Sequence, residues 1–140
     1  MYRYEWKQGN ADFDLCRAIR TAVFVEEQGF HNEFDEIDPI AWHTIVWDGD
    51  RAIATGRLFQ NQDGSYTIGR VAVLKDYRGT GAGSVVMRSL EKKAKELYAP
   101  SIRLSAQVQA VGFYQALGYQ PEGKEYLDEH CPHITMVKKL

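Results

Sequence analysis

Cysteine is scarce in this chain of 140 residues: only Cys16 and Cys131 occur, which is no basis for a disulfide framework. Long apolar runs are missing as well. No segment approaches the roughly 20 apolar residues needed to cross a bilayer, and Met1-Tyr2-Arg3-Tyr4-Glu5-Trp6 lacks the apolar core of a signal peptide. Positive charge is not in excess either. A formal net charge of −2 supplies no basic field for tracking a nucleic-acid backbone. No repeat, low-complexity stretch or linker interrupts the chain. These absences point to a cytoplasmic protein built as one domain over residues 1–140, with no nucleic-acid or membrane partner. They leave the oligomeric state open, a homodimer included.

What is present is an ordered change of period. Tyr2, Tyr4 and Trp6 alternate with charged residues, as an opening strand requires. Asn10 and Asp12 are candidate caps for a helix carrying Leu15, Ile19, Ala22 and Val23 at helical spacing. Glu26 to Asp38 reads mainly as an acidic, turn-rich loop. Trp42 to Trp47 and Ile53 to Phe59 read as strands joined by Asp48-Gly49-Asp50, and Asp63-Gly64 leads into a third strand, Tyr66 to Val73. The period then becomes helical: Val86, Met87, Leu90, Ala94 and Leu97 form an apolar stripe, with Glu91 and Lys95 expected as an i,i+4 pair on the outer face. Ile102 to Ala106 is a short strand, Ala110 to Leu117 a helix stopped by Gly118, and the tail around Tyr126 and Ile134 to Val137 a final strand pair. The expected fold class is α/β (α+β), a mixed sheet flanked by helices.

The junction between the Arg70-Val71-Ala72-Val73 strand and the long helix carries the chemistry. Its loop reads Arg78-Gly79-Thr80-Gly81-Ala82-Gly83. Glycines let backbone N–H groups converge, and they do so at a helix N-terminus, where the dipole favours an anion. Arg78 and Lys75 add charge, and Thr80 or Ser84 adds a hydroxyl. Two nucleotide fingerprints fail on detail. Counting G-x-G-x-x-G from Gly79 puts Ser84 at the last glycine, and Gly64 to Arg70 has P-loop glycine spacing but lacks the Lys-Ser/Thr pair and the following helix.

Arg-x-x-Gly-x-Gly after a Val-Ala-Val strand resembles the acetyl-CoA motif of the GNAT N-acetyltransferase superfamily. Gly112-Phe113-Tyr114-Gln115-Ala116-Leu117-Gly118-Tyr119 is similar to that family's Phe-Tyr-x-x-Leu-Gly-Phe/Tyr helix. Val23-Phe24-Val25-Glu26-Glu27-Gln28 and Trp42-His43 resemble its ElaA/YjcF-like subgroup. The resemblance spans nearly the whole chain and implies a mostly antiparallel central sheet and an acetyl-CoA-dependent N-acetyltransferase. By that resemblance the Val71-Ala72-Val73 backbone would meet the pantetheine arm and thioester, and Arg78, Gly79, Thr80, Gly81, Ala82, Gly83 and Ser84 the pyrophosphate. Gln107 stands where the family often has Asn.

The resemblance also makes Tyr114 the general acid for the departing thiolate, and Glu27, His43 and His133 candidate bases near the acceptor. A base helps because an amine of pKa about 10.4 is neutral in only about one molecule in two thousand at pH 7. Glu33, Asp35, Glu36 and Asp38 read as a solvated loop that would favour a cationic amine if it lined the cleft. His130, Cys131 and His133 lack structural-zinc spacing, so no metal is expected. Two rival readings share the anion loop: a non-catalytic module that senses acyl-CoA, and a phosphate-binding α/β domain. The acceptor amine is not specified, nor is the use of longer acyl-CoAs.

Overall fold

The computed structural model describes residues 2–11 and 13–140; the cap expected at Asp12 lies outside them. Seven strands form one sheet: β1 (Arg3–Gln8), β2 (Trp42–Asp48), β3 (Arg51–Gln60), β4 (Tyr66–Val73), β5 (Ser101–Gln107), β6 (Gln120–Asp128) and β7 (Cys131–Lys139). Their spatial order is β1-β2-β3-β4-β5-β7-β6. Every neighbouring pair is antiparallel except β4 and β5. The mixed, mostly antiparallel sheet flanked by helices is thus the architecture expected.

Successive side chains of a strand face opposite sides of a sheet, and the helices divide accordingly. On one face lies α1 (Phe13–Arg20), which continues through a π-helical stretch, Thr21–Glu27. Its Phe13 and Cys16 pack on Ile45, and its Ile19 and Val23 pack on Ala72. On the other face α2 (Ala82–Glu96) lays Val86, Met87, Leu90 and Ala94 against Val46, Ala54, Leu58 and Ile68. All of these α2 side chains are sealed from solvent, and each large one contributes roughly 1.5–3 kcal/mol by burial. The helix sits so close to the sheet that a Cβ on Gly56 would lie 2.7 Å from Val86 Cγ1. Only glycine fits there.

The short α3 (Val111–Ala116) ends at Gly118, whose φ of +99° turns the chain back into β6. One expected pair is not made. Glu91 turns inward, accepting a 2.7 Å hydrogen bond from the Tyr119 hydroxyl and lying 3.3 Å from Lys138 Nζ, so it is unavailable to Lys95. Both cysteines are free. Among the described residues no helix is long and apolar enough to cross a membrane.

Candidate active site

The parallel contact between β4 and β5 is brief. Only Tyr66–Ile102 and Thr67–Arg103 are in register, near the start of both strands. Beyond them the strands part, because β4 follows β3 while β5 stays fully paired with β7 from Ser101–Lys139 to Gln107–His133. A cleft of about 400 Å³ opens in the gap. Gly69, Arg70 and Val71 line it from β4, Leu104, Ser105 and Gln107 from β5, Tyr114 from α3 and His133 from β7. The segment Gln28 to Glu33 bridges its walls: Glu129, at the β6–β7 turn, accepts hydrogen bonds from the His31 and Asn32 backbone N–H groups at 3.0 and 3.1 Å.

A bulge shapes the β4 wall. The register steps from Thr55–Ala72 to Arg57–Gly69, so Arg70 and Val71 together oppose Gly56, and Arg70 takes a φ of +50°. Past Thr67, the β4 backbone edge facing the cleft has no partner in β5. Of the strand residues expected at the thioester, Val71 borders the cleft and Ala72 is buried under α1. The Val73 carbonyl accepts a 3.2 Å hydrogen bond from Arg78 Nε.

The anion loop lies beside this wall. Gly79 and Gly81 have φ of +75° and +90°, and a Cβ on either would meet nothing within 4 Å. Gly81 caps α2 without any side-chain hydrogen bond, leaving the N–H groups at the helix start for a ligand. This arrangement fits a pyrophosphate. Thr80 serves it differently than expected, since its hydroxyl donates to the Tyr77 carbonyl and accepts from the Tyr2 hydroxyl at 2.8 Å. Gln107 borders the cleft, but its amide already donates to Gln28 at 2.8 Å and accepts from Gln109 at 2.6 Å.

The structure separates the acid and base candidates. Tyr114 is enclosed by Phe113 and Tyr119 at ring distances of 5.0 and 6.1 Å. Burial pushes its phenol up to about 12, so it holds its proton at neutral pH. His133 is buried at the cleft wall beneath Tyr126 and Phe30. Its Nδ1 lies 2.9 Å from the Cys131 carbonyl, which can only accept, so Nδ1 carries hydrogen and the neutral ring keeps its lone pair on Nε2. Nε2 has no hydrogen-bond partner among the described residues.

His43 and Glu27 do not reach the cleft. His43 shares the Ile45 face, where its ring meets Phe13 at 5.3 Å and Nε2 donates to the Asp38 carbonyl at 3.0 Å. Burial pulls its pKa down, and its place is in the core under α1. Glu27 is exposed and clasped by Arg78, whose hydrogen bonds lower the carboxyl pKa and make it a poorer base.

The acidic loop is solvated only in part: Glu36 is exposed as expected, and Asp35 is half-buried. Glu33 and Asp38 are 5% and 3% exposed, not solvated. Arg20, itself 1% exposed, bonds Glu33 at 2.8 Å and Asp38 at 2.7 Å. Arg57 bonds Asp35 at 2.6 Å and Asp38 at 2.9 Å, while Arg70 reaches Glu33 at 3.2 Å and Asp35 at 3.3 Å. Three carboxylates face three guanidiniums, so these acidic side chains are paired within the protein. Arg57 and Arg70 are cleft residues that sequence reasoning missed, because their partners lie between 19 and 37 positions away.

A sheet that parts beside a glycine-rich helix start is the architecture of an acyl-coenzyme A-dependent transferase, and relatives agree. The model of the Acetyltransferase (GNAT) domain matches residues 16–140. The Bacillus subtilis (strain 168) protein called uncharacterized N-acetyltransferase YjcF is 39% identical over 123 residues, covering 86% of this chain and 87% of its own. The crystal structure of Escherichia coli ElaA superposes with a TM-score of 0.85 at 27% identity, over 99% of this chain and 100% of that one. An acyl-CoA N-acyltransferase from Pseudomonas aeruginosa gives 0.88 at 26% identity, with 99% of each chain covered. The chain belongs to the GNAT acetyltransferase family. It is an acetyl-CoA-dependent N-acetyltransferase of the ElaA/YjcF-like subgroup.

Proposed function

We propose that this enzyme acetylates a primary amine by direct attack within the β4–β5 cleft, with Tyr114 as general acid and His133 as proton acceptor. The observation that carries this reading is that a protonated phenol and an imidazole with a free Nε2 border one cleft. Acetyl-CoA supplies the activated acetyl thioester. The N–H groups from Gly79 to Ser84, with Arg78, bind its pyrophosphate, and the unpaired edge of β4 runs alongside the pantetheine arm.

The remaining roles fall to this chain's side chains. His133 Nε2 takes a proton from the acceptor nitrogen as that nitrogen bonds to the acetyl carbon. Tyr114 gives its phenolic proton to the sulfur as the C–S bond breaks. Solvent then restores the phenol and removes the proton from His133. The bridge from Gln28 to Glu33 shields these transfers from bulk water. The scarcity of cysteine supports a cytoplasmic setting.

Release of free coenzyme A over a panel of primary amines tests the proposal. Tyr114→Phe lowers kcat by about 10²–10⁴-fold while leaving coenzyme A binding intact. Unchanged turnover in Tyr114→Phe overturns the acid role. Binding of coenzyme A without acetylation of any amine identifies an acyl-CoA-sensing module instead.

A further inference from the structure

We propose that Arg70 receives a carboxylate of the acceptor, so that the cleft selects small amines carrying their own carboxylate. This rests on the acetyl-transfer reading and names its substrate class.

The backbone gives the first reason. Arg70 holds a φ of +50° inside a strand, although Gly69 stands beside it. A side chain other than glycine rarely adopts this conformation. The bulge turns Arg70 into the cleft wall, which is how bulges re-aim side chains at sites.

Hydrogen bonding gives the second. Nε of Arg70 donates to the Glu33 carbonyl at 3.1 Å and lies 3.2 Å from Glu33 Oε2, and Nη2 donates to Asp35 at 3.3 Å. Nη1 meets no acceptor among the described residues, and the side chain is 25% exposed. These bonds fix the plane of the guanidinium without exhausting its donors. Arg20 is spent on Glu33 and Asp38, and Arg57 on Asp35 and Asp38, at distances of 2.6 to 2.9 Å. Arg57 borders the same wall and keeps a buried Nε without an acceptor. A carboxylate matches the planar fork of an arginine better than any neutral group does.

The rest of the cleft lining gives the third. Asp128, Glu129 and His133 also line the cleft; Glu129 is taken up by the His31 and Asn32 backbone N–H groups, which leaves Asp128 and His133 to face the amine. This lining suits a molecule that carries an amine as well as a carboxylate. A volume of about 400 Å³ shared with the pantetheine arm limits that molecule to amino-acid size.

Calorimetric titration tests this on protein saturated with coenzyme A, using L-amino acids, β-alanine and 4-aminobutyrate against their primary amides. At least one acid should bind tenfold or more tightly than its amide. The advantage should vanish in Arg70→Gln and return in part in Arg70→Lys. Arg70→Gly, which suits the positive φ, should lose it while keeping its coenzyme A affinity, separating recognition from folding. Equal binding of acids and amides, no binding of any acid, or a preference surviving Arg70→Gly overturns the inference. Amines acetylated without regard to a carboxylate would sink it while leaving acetyl transfer standing. Arg70-dependent binding of acids without acetylation would do the reverse.

Discussion

Glu27 holds the Arg78 guanidinium in a two-pronged clasp, Oε2 lying 2.5 Å from Nη1 and Oε1 2.6 Å from Nη2. The pair joins the end of the first helical segment to the anion loop. It sets a negative charge beside the loop, opposing the pyrophosphate. Both side chains are more than a third exposed, so the clasp contributes little to stability. Glu27→Gln should therefore lower the KM for acetyl-CoA by about two- to fivefold at low salt, an effect that fades as salt screens the charge. Its kcat should stay within about tenfold of the parent, well short of the 10²–10⁴-fold loss expected for a general base. Steady-state kinetics at two ionic strengths check both statements.

The loop makes a second prediction. Gly81 has φ of +90° and ψ of 0° at the start of α2, with open space where a Cβ would stand. Gly81→Ala meets no clash, so its cost is backbone strain alone, about 1–2 kcal/mol. Relief of that strain rotates the peptide and turns N–H groups away from the phosphates. Coenzyme A affinity should fall by about tenfold, with melting lowered by only a few degrees. Titration calorimetry and thermal unfolding on the same sample separate the two effects.

These residues also mark where local sequence was sufficient. Gly79, Gly81 and the α2 stripe of Val86, Leu90 and Ala94 are signals within a few positions of one another, and they appear where expected. The cleft is not local. It exists because β4 and β5 pair only at Tyr66 and Thr67, and strand divergence leaves no trace in composition. The strained Arg70 looks like any other strand arginine until the register shift is seen. Glu33, Asp35 and Asp38 read as solvated charges because Arg57 and Arg70, which neutralise them, lie far along the chain. His43 and His133 are alike as letters; strand facing sends one to the core under α1 and the other to the cleft.

The buried network makes the third prediction. Arg20 is almost fully enclosed and bonds Glu33 and Asp38 together. Arg20→Met keeps most of the volume but leaves buried carboxylates short of a partner, at a cost of about 3–5 kcal/mol. Glu33→Gln in the same chain removes one of those charges, so the double variant should regain part of the loss. Urea midpoints of the parent, both single variants and the double variant measure the coupling.

The last prediction is the pH profile of stability. In acid, the unfolded chain protonates a histidine near the ordinary value of 6.5, while burial holds folded His43 below it. Stability must fall as pH drops below 6.5, because the unfolded state binds the extra proton. A second loss follows at Asp35, which the Arg57 hydrogen bond holds at about 2 against an ordinary 3.8. Its contribution is complete above 3.8 and disappears toward 2. Glu33 acts in the opposite sense: burial raises its carboxyl above 4.5, so protonation there offsets part of the acid loss. In alkali, folded Tyr114 titrates at about 12 where an unfolded tyrosine titrates at 10. Stability is intact below 10 and declines between 10 and 12. Chemical unfolding at fixed temperature across this range should show both limbs. His43→Gln should flatten the slope just below pH 6.5, and Tyr114→Phe should reduce the slope above pH 10 without removing it, because burial also raises the Tyr119 phenol; each leaves the other limb in place.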